Sequence, residues 1–292
     1  MITVVRAGPL TTVQDLGRPG YAHLGVPRSG ALDPAAARLA NALVGNDDSA
    51  AVLETTLMGC ALRFSGPGGS VRVAVAGAVA EVRVDGSVVP PGAVDVPAGA
   101  VLDVGRAVAG VRSYVAVAGG IDVPPVLGSR STDTLSGLGP PALSDGMILP
   151  VGRPTHPMRE RSRSAHPSAP GATGAVVELD VLVGPRDDWV LDMPVLFGDS
   201  YRISPVSNRV GARLAGPRLT RAKAGELAPE GIVLGAIQVP PEGHPLIFLA
   251  DHPTTGGYPV IGVVDDVTPL AQARPGTTVR FRELHRPQRG PG

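Results

Sequence analysis

Cysteine occurs once in the 292 residues, as Cys60, and lysine once, as Lys223. A lone thiol excludes an intrachain disulfide and any zinc site closed by cysteines. With one lysine there is no Gly-Lys-Ser/Thr string for a P-loop. A lysine carrying biotin or pyridoxal phosphate would have to be Lys223, and the stretch Arg221-Ala-Lys223-Ala-Gly225 resembles neither site. Excess charge is lacking too. The 26 basic residues meet 26 acidic ones, so no broad field for nucleic acid is expected. No apolar run approaches the roughly 18 residues a membrane-spanning helix needs, so no membrane partner is expected. Met1 to Arg6 does not read as a signal peptide, and a cytoplasmic protein is the expectation. Aromatic residues are 3% of the chain, so its cores must be filled by small side chains.

Glycine and proline, by contrast, are abundant at 39 and 31, in a chain that is still 43% hydrophobic. That combination fits many short strands joined by tight turns, a mainly β fold of barrels or sandwiches with few helices. Ile2 to Val5 reads as a strand. The loop after it holds Gln14, Asp15, Arg18, His23, Ser29 and Gly30. It is either a binding loop on a rigid scaffold or a surface loop held by local turns and ion pairs. Asp33 as cap and Pro34 at the first position start a helix with Leu39, Leu43 and Val44 on its apolar face, ended by Gly45. Asn46 to Ser49 offers a second cap, for a short helical turn through Ala50 to Leu53.

Strands are expected at Leu62 to Phe64, Val71 to Val75, Glu81 to Val84, Val94 to Val96, Val101 to Val104 and Val111 to Ala118. Asp85-Gly86 signals a hairpin turn, and Gly119-Gly120 ends the last strand. Val126 to Asp133 is a second polar loop, with Ser129 and Arg130. Met147 to Val151 closes an N-terminal domain of residues 1–152. Residues 153–175, rich in Pro, Ser and Arg, read as a linker. A second domain, 176–284, has strands at Val176 to Val183, Tyr201 to Ile203 and Thr277 to Arg282. Asp187 to Leu191 and Asp265 to Gln272 read as short helical turns, and Ser207 to Leu214 as a third polar loop with Arg209 and Arg213. Leu246 to Ala250 is a buried strand that delivers Asp251 to its end. Thr254, Thr255, Gly256, Gly257 and Tyr258 then make either a ligand cradle or a tight turn. Residues 285–292 read as a disordered tail.

Several of these segments carry a resemblance when taken jointly. They are Thr11-Thr-Val-Gln-Asp-Leu-Gly-Arg-Pro-Gly20, Gly25-Val-Pro-Arg-Ser-Gly-Ala-Leu-Asp33, Val117-Ala-Gly-Gly-Ile-Asp122, Val126-Leu-Gly-Ser-Arg-Ser-Thr132, Gly235-Ala-Ile-Gln-Val-Pro240 and Thr254-Thr-Gly-Gly-Tyr-Pro259. They resemble the biotin-dependent carboxyltransferase family, which includes KipA-type proteins, C subunits of bacterial 5-oxoprolinases and one lobe of the urea carboxylase carboxyltransferase domain. The resemblance implies two cyclophilin-like β-barrels and a KipI-like partner. In a 5-oxoprolinase it also implies a LamB/YcsF-like subunit and ATP with magnesium in the complex, with no covalent cofactor on this chain. Two other roles in the family are a binding protein that sequesters a KipI-like kinase inhibitor, and a carboxyltransferase lobe using biotin carried on another protein. The sequence departs from the family pattern at Asn208, Pro229, Pro253 and Val260.

Opening a lactam develops negative charge on the amide oxygen, which Arg18, Arg130, Arg209 or Arg213 could stabilise if not engaged in structural ion pairs. Asp15, Asp33, Glu54 and Asp251 are candidate bases or ligands of a nucleotide-bound metal. The catalytic expectation rests on Asp15, Arg18, Arg130 and Asp251. Substrate-binding candidates are Gln14, Ser29, Gly30, Gly119, Gly120 and Ser129 in the first half. In the second half they are Arg209, Gln238 and the stretch Thr254, Thr255, Gly256, Gly257 and Tyr258. Gln238 and the threonines suit an amide or a ureido ring. His244, Asp251 and His252 match no established metal-ligand spacing, and no metal site is expected.

Overall fold

The computed structural model describes residues 1–66, 69–154 and 176–284. The linker expected at 153–175 lies, from residue 155 on, outside the described residues, as does the expected tail at 285–292. Contacts divide the chain into two units, Met1–Gly20 with Arg28–Ala172, and Tyr21–Pro27 with Thr173–Gly292.

The first unit is a nine-stranded curled sheet with a helix on one face. Its strands are β1 (Ile2–Arg6), β2 (Thr11–Gln14), β3 (Val52–Thr56), β4 (Ala61–Phe64), β5 (Ser70–Val84), β6 (Ser87–Val88), β7 (Gly92–Pro97), β8 (Val101–Val117) and β9 (Ile148–Leu149). The order β2-β3-β8-β4-β1-β9 is possible because β8 is long. Its first residues pair with β4 and its last with β3, while β5 runs along its other edge. Alternation sorts the side chains. Val13, Leu53 and Val115 enter the cluster inside the curl. Val52, Tyr114 and Ala116 face α1 (Pro34–Val44) on the other side. The helix buries Ala36, Ala37, Ala40, Asn41 and Val44, so its closest contact with the sheet is made by alanines. Leu39 and Leu43 flank that stripe. Asp33 accepts from the Ala36 amide at 3.0 Å, and Gly45 ends the helix at φ 78°.

The second unit contains a closed barrel of seven strands, β10-β17-β14-β15-β12-β11-β18. They are β10 (Val176–Val183), β11 (Ser200–Ile203), β12 (Gly211–Ala215), β14 (Ala236–Gln238), β15 (Leu246–Phe248), β17 (Val260–Val264) and β18 (Thr278–Glu283). A parallel pairing of β10 with β18, from Val176↔Thr278 to Val181↔Glu283, closes it. A small ribbon of β13 (Glu230–Gly231) and β16 (Thr255–Gly256) lies off the barrel, and α2 (Met193–Gly198) and α3 (Thr268–Ala271) are short. The mainly β expectation, with barrels and a few short helices, therefore holds, although the first sheet is curled rather than closed.

Three local expectations are corrected. Ala50 to Leu53 is not a helical turn. The chain turns at Ala50, whose amide donates to Asp47 O at 3.0 Å, and β3 then starts at Val52, hydrogen-bonded on both edges. Pairing on both sides outweighs a cap signal that is strictly local. The strands expected separately on either side of Gly105 to Gly110 are one strand, β8, and those on either side of Ala76 to Ala80 are one strand, β5. Bulges between Gly77 and Val82 absorb the irregular alternation that made the pattern look broken. Within the expected loop from Ser207 to Leu214, residues from Gly211 on belong to β12, paired with β15. The Asp85-Gly86 turn forms as expected, with φ 46° and 80°, and joins Val84 to Ser87.

Candidate functional site

In the first unit the candidates gather where β2 ends. Asp15 follows the strand, and its carboxylate accepts four hydrogen bonds. Oδ1 takes the Gly17 amide at 2.8 Å and the Ser129 and Ser131 hydroxyls at 2.6 Å each. Oδ2 takes the Arg130 amide at 2.6 Å. Asp15 thus pins the loop of residues 126–133 to the end of β2. Asp133 holds the next turn, accepting from the Leu135 and Ser136 amides at 2.8 Å each.

Arg18 is 1% exposed. Its guanidinium donates to the Val126 carbonyl at 3.3 Å, to Ser29 Oγ at 3.2 Å and to the Ser131 carbonyl. The Ser29 hydroxyl donates in turn to Asp133 Oδ2 at 3.0 Å. Ser29 and Gly30 are both left-handed, at φ 51° and 94°. A side chain on Gly30 would put its Cβ 2.9 Å from the Gly17 nitrogen, so glycine is required by the close approach of the two backbones. Arg130 differs. Its Nε donates to the Val123 carbonyl at 2.7 Å and Nη2 to Asp122 at 2.9 Å, with the side chain still 36% exposed.

Gln14 is fully buried. Its Nε2 donates to Thr12 Oγ1 and the Thr132 carbonyl, both at 3.0 Å. Gly119 and Gly120 form a packed turn, with the Gly119 amide on Asn46 Oδ1 at 2.8 Å and the Gly120 carbonyl accepting from Gly152 at 3.0 Å. Glu54 and Asp33, named as candidate bases, belong to the layer under α1. Glu54 Oε2 accepts from the Leu32 amide at 3.0 Å and the Tyr114 hydroxyl at 2.8 Å, with Arg112 alongside at 3.5 Å. The Tyr114 oxygen accepts from the Asp33 amide at 2.8 Å. Burial, and then the Glu54 charge, push the Tyr114 pKa well above its usual value.

In the second unit Arg209 and Asp251 form a bidentate pair, 1% and 0% exposed. Gln238, 5% exposed, donates to the Tyr258 carbonyl at 3.1 Å. That bond lies beside Gly256, where an added Cβ would come to 3.0 Å from Gln238 Nε2. The ribbon pairing Gly231↔Thr255 holds the Thr254 to Gly257 stretch on one side, and the Leu227 amide donates to the Gly257 carbonyl at 2.7 Å. Thr255 is exposed, while Thr254, Gly257 and Tyr258 are half-buried. Arg213 is exposed on β12.

Two features escaped sequence reasoning. Ser131 and Asp133 complete the Asp15 and Arg18 network, and the alternating Ser129-Arg130-Ser131 spacing was the available signal. Arg186 clasps Glu230 next to the ribbon, and nothing in the local sequence announced that pairing. His252 Nδ1 lies 2.7 Å from the Pro253 carbonyl. Among the described residues no three His, Cys, Asp or Glu side chains converge on a metal position.

The model of the carboxyltransferase domain family, subdomains A and B, matches residues 24–283. The chain belongs to this family. It is 38% identical over 291 residues to the C subunit of the 5-oxoprolinase of Escherichia coli (strain K12), covering 96% of this chain and 90% of that protein. The crystal structure of TTHA0988 is similar, with TM-score 0.81 and 36% identity over 96% of this chain, which spans 55% of that longer chain. The K. lactis urea amidolyase structure has TM-score 0.86 and 30% identity, and this chain covers 19% of it.

Proposed function

We propose that this family member is the C subunit of a 5-oxoprolinase, acting with a KipI-like and a LamB/YcsF-like subunit to open 5-oxo-L-proline to L-glutamate with hydrolysis of ATP. The observation that carries the reading is coverage. The C subunit of the E. coli 5-oxoprolinase matches along 90% of its own length, whereas the urea amidolyase contains the match as 19% of a much larger chain.

Ring opening breaks the lactam C–N bond, adds water to the carbonyl carbon and returns a proton to the nitrogen. A fixed cation near the carbonyl oxygen stabilises the charge that develops there. Of Arg18, Arg130 and Arg209, the first and last are almost fully buried, so Arg130 is the one of these three with side-chain surface left to meet a ligand. Asp15 serves as a positioning residue, since its four donors hold the backbone that carries Arg130. In the second unit Thr254, Thr255 and Gln238 offer neutral donors and acceptors suited to an amide.

A second reading, a carboxyltransferase lobe, is favoured by the likeness to the urea amidolyase. It needs biotin carried outside these 292 residues, because Lys223 is their only lysine and Arg221-Ala-Lys223-Ala-Gly225 does not resemble a biotin site.

The test is glutamate release from 5-oxoproline and ATP by the two partner subunits, with and without this chain. Release that requires the chain supports the reading. A tight complex with the KipI-like subunit and no release would instead support sequestration of that partner.

A further inference from the structure

5-Oxo-L-proline has three chemically distinct parts: a lactam amide, two ring methylenes and a carboxylate that is ionised at neutral pH. Thr254, Thr255 and Gln238 suit the amide, and Arg130 the charge that develops on its oxygen. A counter-charge for the carboxylate is a separate requirement.

Strand register supplies one in the second unit. Leu246 on β15 is the register partner of Arg213 on β12 at one edge and of Gln238 on β14 at the other. Residues directly opposite in antiparallel pairs point to the same face. Arg213, Leu246 and Gln238 therefore form one row across three strands, about 10 Å from end to end. The row faces outward, because Ala212 and Leu214, which alternate with Arg213, are buried. It is graded in exposure. Gln238 is 5% exposed, beside Gly256. Leu246 is half-buried and packs with Ile232 and Phe248, and Arg213 is exposed.

The Arg213 backbone is fixed. β12 is paired on both edges, the Arg213 amide donates to Ser207 Oγ at 3.0 Å, and its carbonyl accepts from the Ser204 amide at 2.9 Å. Among the described residues no carboxylate pairs with its guanidinium, whereas Arg186 and Arg282 of the same unit are held by Glu230 and Asp180.

We infer that Arg213 binds the carboxylate of the lactam substrate and so selects lactams that carry an acid beside the ring nitrogen. The guanidinium meets the carboxylate with two parallel N–H donors. Leu246 takes the ring methylenes, and the amide reaches the Gln238 end of the row. This rests on the 5-oxoprolinase reading and adds to it the group that selects the substrate.

Arg213→Met keeps the aliphatic stem and removes the charge. In the complex with both partner subunits it should raise KM for 5-oxoproline roughly ten- to a hundredfold, with little change in kcat. Arg213→Lys should recover part of the loss. Arg202→Met alters an exposed arginine of the neighbouring β11, which donates to the Gly276 carbonyl at 3.0 Å, and should leave KM unchanged. 5-Oxoprolinamide is neutral where 5-oxoproline is charged, so the unaltered complex and Arg213→Met should open it with the same KM. An unchanged KM for 5-oxoproline in Arg213→Met, or an equal rise with 5-oxoprolinamide or in Arg202→Met, would overturn the assignment. Weakened subunit association in Arg213→Met would overturn it too, by making Arg213 a contact of the partner. If the unaltered complex releases no glutamate, the 5-oxoprolinase reading falls and this assignment with it. Release with a KM indifferent to Arg213 removes the assignment alone.

Discussion

Arg209 and Asp251 meet fork to fork, with Nε and Nη2 of the arginine each 2.9 Å from a carboxylate oxygen, inside a unit where both side chains are shut off from water. Their meeting follows from strand register. β12 pairs with β15 at Gly211↔Phe248, and the Asp251 amide continues the ladder by donating to the Arg209 carbonyl at 3.1 Å.

Removing one partner strands a buried charge. Asp251→Ala should therefore lower stability by about 3–5 kcal/mol, well beyond what a surface ion pair contributes. Thermal unfolding of the purified chain measures it. The double variant Arg209→Met/Asp251→Leu should recover most of the loss. A stable Asp251→Ala chain with normal unfolding would contradict the burial of this pair.

Arg130→Ala should behave in the opposite way. Its pair with Asp122 is partly exposed, so the fold should lose no more than about 1 kcal/mol. Glutamate release by the complex should fall by roughly 100-fold if the guanidinium stabilises the developing oxyanion. Asp122→Asn, which leaves the guanidinium in place, should change release far less. Full activity in Arg130→Ala would remove it from the site.

Asp15→Asn replaces one acceptor oxygen by a donor in a carboxylate that now receives four hydrogen bonds. A cost of roughly 2 kcal/mol is expected, felt locally. Amide hydrogen exchange should speed up at Arg130 and Ser131 while β8 stays protected. Uniform acceleration throughout the first unit would mean that Asp15 supports the whole fold rather than one loop.

Alkaline pH should destabilise the first unit through Tyr114. Burial, with the Glu54 charge second, raises its pKa in the folded chain. Between the unfolded value, about 10, and the folded one, the unfolded chain gives up the phenolic proton and the native chain keeps it. The share of stability that depends on Tyr114 is therefore intact below about pH 10 and declines as pH rises beyond it, by up to about 1.4 kcal/mol per pH unit, in addition to a loss through Cys60, raised from 9.0 to about 12, that begins about one unit lower. Urea midpoints measured across that range, with Tyr114→Phe as reference, separate its share from that of the other tyrosines.

Cys60 should resist thiol reagents in the native chain. It is fully buried, and burial pushes its pKa up to about 12, so almost no thiolate exists at pH 8. Labelling with a chromogenic disulfide should await unfolding. Rapid native labelling would place Cys60 outside the inner cluster of the first unit.

The amino-acid order carried whatever is decided within a few residues. Asp33, Pro34 and Gly45 bracket α1 because caps act over one turn, and Asp85-Gly86 makes its hairpin because both residues accept positive φ. Glycine, proline and the small apolar residues announced short strands, and the quoted motifs announced the family. Whether a charged side chain is available for chemistry was not written locally. Asp15, in a polar loop, looked like a base, yet the hydroxyls that occupy it come from 114 and 116 residues away. Asp251 looked like a carboxylate delivered to a strand end, yet it is taken up by an arginine 42 residues earlier. Such pairings depend on which strands become neighbours and in what register, and on how much water the packing then expels. Those are properties of the assembled sheets, which is why tertiary structure alone separated the half-exposed Arg130 from the sealed Arg18 and Arg209.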